Sequence, residues 1–103
     1  MTDLDAVERE LGRVVDRLNS MPLSRAGSAV DDVRTTAALV VDQTRLLTDA
    51  IPSQAELPRL GPQGLGAMLA VVGHDYLDAA RASSEPDVSP VLDALVSLRR
   101  VLP

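Results

Sequence analysis

Apolar residues recur along this chain at alternating steps of three and four, and prolines cut the recurrence into separate runs. Steps of three and four keep side chains on one face of a helix with 3.6 residues per turn, so each run reads as a helix that buries one stripe. In the first run, over about 3–20, the stripe is Leu4, Val7, Leu11, Val14, Leu18 and Met21, with Thr2 and Asp5 at capping-box spacing. Pro22 ends it, because the residue before a proline is pushed out of the α region. The second run, over about 24–51, carries Ala26, Val30, Val33, Ala37, Val40, Thr44, Leu47 and Ile51 without a slip. That spacing predicts one continuous helix of roughly 40 Å at 1.5 Å per residue, stopped by Pro52.

A proline-rich connection, 52–62, follows, with Ser53 and Glu56 at capping-box spacing and Leu57 and Leu60 in need of cover. The third helix is expected over about 63–82, with Leu65, Leu69, Val72, Tyr76 and Ala79 inward. The fourth is expected over about 90–102, with Ser89 as N-cap, Pro90 at the first helical position and Val91, Leu95, Leu98 and Leu102 inward. Arg99 and Arg100 suit the negative end of its dipole. The expected fold is therefore all-α, one domain over 1–103, a four-helix antiparallel bundle of up-down order, dimeric. Leu11, Val33, Val40, Leu69, Val72 and Leu95, each in the middle of its stripe, are the expected centre of the core.

Composition narrows the chemistry. The apolar share is 46%, made almost wholly of Leu, Val and Ala with Tyr76 as the single aromatic, which suits helices better than sheets. No cysteine is present, so disulfides, thiolate metal sites and thiol nucleophiles are excluded together. A net charge of -5 disfavours a phosphate backbone as partner, so no nucleic acid is expected. Every basic residue is arginine, which fits the coding bias of a GC-rich, actinobacterial genome. The start lacks the basic and apolar regions of a secretory signal, and no stretch approaches the roughly 18–20 apolar residues that span a bilayer. The expectation is a cytoplasmic protein that does not engage a membrane.

His74, the one residue that ordinarily titrates near neutrality, lies opposite the third helix's stripe. A lone outward histidine on a small acidic bundle resembles the histidine phosphotransfer domains. Those place a basic residue three positions on and a small one four positions on, where Leu77 and Asp78 stand here. His74-Asp75 also spells the pair of the His-Asp phosphohydrolases, which need further histidines that this chain lacks. Val71 occupies the place where a di-iron bundle needs glutamate. Asp75 and Asp78 share a face, as in the all-α nucleotide pyrophosphohydrolases that hold Mg²⁺, but the nearest second pair, Asp31-Asp32, diverges by about 100°. Arg9, Arg13 and Arg17 form a ridge able to meet an anion or an acidic partner, although Asp5, Glu10 and Asp16 lace it as on an ordinary exposed helix. No catalytic, metal or cofactor-binding residue is expected.

Two apolar features outside the main stripes point to contact with protein. Leu39 and Leu46, seven apart, project from the back of the second helix and call for cover by Leu57 and Leu60 or by a second protomer. On the third helix Gly66, Ala70, Gly73, Leu77 and Ala80 form a mostly small stripe beside the core face. Glycine inside a helix costs about 1 kcal/mol relative to alanine, so close approach of another helix is the expected reason, supplied by a second copy. The reading is a non-catalytic helical protein that acts through self-association, a homodimer, or contact with another protein partner. In size, helicity and acidity the chain is also similar to the small secreted helical hairpins of the actinobacterial type VII system. It lacks their Trp-x-Gly turn, and Ala80 stands where their signal after a tyrosine, here Tyr76, needs an acid. A secreted protein of that kind is the alternative, and a carboxylate-dependent hydrolase or phosphotransfer domain a lesser one.

Overall fold

The computed structural model describes residues 3–48, 64–84 and 86–102, and every regular element among them is helical. Helix α1 spans Asp3–Ser20, a short helix α2 spans Leu23–Ala26, one 3₁₀ turn covers Gly27–Ala29, and α3 spans Val30–Leu47. Helix α4 spans Leu65–Ala82 and α5 spans Ser89–Val101. The four long helices form an all-α bundle, as the periodicity implies. Thr2, Ile51, the capping pair Ser53 and Glu56, and the connection with Leu57 and Leu60 lie outside the described residues.

The second run is not one continuous helix. Ser28 Oγ donates back to the Arg25 carbonyl at 2.8 Å, and Ala29 sits at φ -96°, ψ -5° as the residue that opens α3. Glycine and serine are weak helix formers, and a serine hydroxyl that bonds the preceding turn competes with the helical ladder, so the chain tightens there. The far end also comes earlier than expected, since Thr48 is already extended at φ -154°, ψ 145° while its N–H still reaches the Thr44 carbonyl. At α5 the cap moves one residue back. Val88 is the cap, Ser89 is the first helical residue, and the Asp87 carboxylate accepts the Ser89 N–H at 3.1 Å.

The core follows the predicted stripes closely on α1, α3 and α5. Val7, Leu11, Val14 and Leu18 meet Val33, Ala37 and Val40, with Val91, Leu95 and Leu98 closing one side. The buried Thr44 hydroxyl is satisfied by the Val40 carbonyl at 2.8 Å. On α4 the inward face is rotated, so Val72 is only half-buried, contrary to expectation, while Met68, Leu77 and Ala80 are buried. Replacing Val40 with alanine removes two buried methyl groups. The transfer loss of about 0.8 kcal/mol each plus a cavity term sets an expected cost of roughly 1.5–3 kcal/mol, read as a lowered midpoint in denaturant unfolding.

The order of the helices departs from the simple up-down scheme. Helices α1 and α3 each pack along both α4 and α5. Glu8 meets Arg81, Leu11 meets Gly73 and Asn19 meets Gly66, so numbering on α4 falls as numbering on α1 rises. The first and third long helices are therefore antiparallel, where an up-down bundle would set them parallel. Consecutive long helices, α1 and α3 or α4 and α5, sit across the bundle from one another.

Candidate contact surface around α5

The small stripe of α4 serves the protomer itself. Gly66, Gly73, Leu77 and Ala80 are buried and Ala70 is half-buried. A Cβ added at Gly73 would lie 2.5–2.6 Å from the δ carbons of Leu11, and one at Gly66 would collide with the Asn19 side chain. The close approach that the two glycines imply is real, but its partner is α1 of the same chain, which corrects the expectation of an intersubunit contact at these residues. Leu39 is half-buried and packs against the core, whereas Leu46 is 77% exposed. His74, Asp75 and Asp78 all face solvent.

What remains open lies on either side of α5. Between α1 and α5 runs a groove of about 460 Å³. Ala6, Leu92 and Val96 supply its apolar lining, Arg9, Arg13 and Arg100 its positive charge, and Asp93 a negative one. Glu10 belongs to the same wall and is nearly buried. Its Oε2 accepts from Arg99 Nε at 2.7 Å, and its Oε1 accepts from Arg13 Nη1 at 3.1 Å and from Arg99 Nη2 at 3.5 Å. A buried carboxylate is tolerated when charged donors saturate it, so this clamp fixes α5 on α1 and holds the Arg13 guanidinium at the groove. Across the ridge of α5 a second groove of about 260 Å³ opens towards α3, with Thr35, Thr36, Leu39, Leu98 and Val101 in its wall. Val101 is 61% exposed. Ser97 belongs to both grooves, which places the outer face of α5 as the ridge between them.

The arginine ridge of the first helix is divided by this arrangement. Arg9 and Arg13 border the α1–α5 groove, while Arg17 stands beside Ser20, Met21, Pro22 and Arg25 at the other end of α1. Sequence spacing does pair Glu10 with Arg13, and the ion pair is present at 3.1 Å. It misses Arg99, 89 residues away. The available signal is that Glu10 falls three residues after Val7 and beside Leu11, on the edge of the buried stripe, where a carboxylate needs a partner from another helix.

Ser97 shares the α1–α5 groove with arginines and with the carboxylates of Glu10 and Asp93, and His74 stands on another helix. Among the described residues no group of three or more histidines and carboxylates is placed to hold a metal ion, and no helix is long and apolar enough to cross a membrane. Comparison with protein-family models, with curated proteins and with solved structures finds no match to this chain.

Proposed function

We propose that this protein is a non-catalytic contact module that associates with itself, and that α5 is the element through which it does so. The observation that carries the reading is the position of α5 between a groove lined by charges of both signs and an apolar one, which leaves its outer face and the exposed Val101 uncovered. The two grooves offer apolar floor and fixed charge, a combination suited to holding a surface. Association through a closed two-fold pair is the commonest solution for such a chain.

Light scattering at micromolar concentration tests this directly. The expected mass is near 22 kDa, twice the 10.9 kDa chain, and a mass near 11 kDa sinks the reading. Leu46 lies outside both grooves, so Leu46→Ser is expected to leave the mass unchanged and to alter stability by less than about 0.5 kcal/mol in denaturant unfolding.

A further inference from the structure

We infer that a second copy of this chain docks antiparallel along α5, so that Asp93 of each copy pairs with Arg100 of the other across Val96 and Ser97. This rests on the self-association proposed above and specifies its geometry.

Asp93, Val96, Ser97 and Arg100 step by three, one and three, and share the outward face of α5. Asp93, Ser97 and Arg100 are exposed and Val96 is half-buried. Within the protomer, neither Asp93 nor Arg100 has a hydrogen bond or ion pair to any described residue, although Arg99 next door is locked on Glu10. Seven residues of helix separate the two by about 10 Å along the axis, too far to pair with each other. An antiparallel copy reverses the order, so both opposite charges come face to face at once. The short, apolar-to-small centre formed by Val96 and Ser97 lets the two helices approach. The pattern is self-complementary, as a two-fold interface requires, because each residue must find its match on the same patch of the partner. The grooves on either side then lie under the partner copy, and the α1–α5 groove gains cover for Leu92 and Val96.

The test is charge reversal read by light scattering or sedimentation, with helicity by circular dichroism as the control for folding. Asp93→Arg and Arg100→Asp, each alone, set like charges opposite one another and are expected to weaken self-association at least tenfold. The double variant Asp93→Arg, Arg100→Asp restores it, and so does mixing the two single variants, since the mixed pair regains both attractions. Single variants that associate as tightly as the wild type overturn the inference and leave self-association through some other part of the surface standing. Weakened single variants that neither the double variant nor the mixture rescues also overturn it. A monomeric wild type removes the proposed function and the inference together.

Discussion

Gly73→Leu is expected to unfold the protein. The δ carbons of Leu11 already occupy the space where a Cβ would begin, and a leucine adds three more carbons into a site with no free volume. Overpacking a close-packed core costs typically 1–3 kcal/mol and occasionally more, and here the obstacle is a buried side chain pinned between helices, so the expected loss is at least about 3 kcal/mol. The helix-propensity gain on replacing glycine, about 1 kcal/mol, offsets only part of it. Gly73→Ala asks for a smaller displacement of the Leu11 methyl groups and should lose roughly 2 kcal/mol or less. Denaturant unfolding monitored by circular dichroism separates the two, and a stable, fully helical Gly73→Leu protein would contradict the packing of α4 on α1.

A second large effect is expected in alkali, and it traces to one atom. The Tyr76 hydroxyl is buried on a residue only 1% exposed, and it has no hydrogen-bond partner among the described residues. Burial first, and the negative Asp87 second, push its pKa above the ordinary 10.0. In the unfolded chain the phenol ionises near its ordinary value, while the folded chain keeps its proton to higher pH. Between those two values the folded state holds a proton that the unfolded state has released. Stability from this group is therefore complete below about pH 10 and falls by about 1.4 kcal/mol per pH unit above it, until the folded pKa is reached. The chain has no lysine, no cysteine and no other tyrosine, so no other side chain ordinarily titrates there. Tyr76→Phe should abolish the alkaline slope. It should also raise stability at neutral pH by roughly 1–2 kcal/mol, because a buried hydroxyl without a partner is removed. Unfolding midpoints measured at about pH 8 and about pH 11 decide the matter, and equal slopes for wild type and Tyr76→Phe would refute it.

The helices were most legible where one face alone is apolar. Helix α1 has charges on every other face, so Leu4 to Leu18 define both its register and its limits, and the structure keeps both. Helix α4 is apolar nearly all round, so spacing alone cannot choose between the face of Val72 and Ala79 and the face of Leu77 and Ala80. The choice is made by α1, which needs glycines at 66 and 73 to come close. The interruption at Gly27 and Ser28 was hidden because Ala26, Val30 and Val33 keep perfect spacing across it, and hydrophobic spacing carries no information about backbone hydrogen bonds. The candidate contact surface was least legible. Arg13 and Glu10 are visible as neighbours on one helix, but their meaning depends on Arg99 arriving from the end of the chain.

That arrival bears on how the protein is made. Because α1 finds its cover on α4 and α5 and not on α3, the first two long helices bury no shared face. A nascent chain that has left the ribosome as far as Leu47 holds two amphipathic helices with little to pack against. Closing the core requires contacts of long sequence separation, and the loop entropy for these is spent before they give any return. Folding should thus wait for the last helix, with the Glu10–Arg99 clamp among the final contacts to form, and fragments ending before Ser89 should stay open to protease while the full chain resists it.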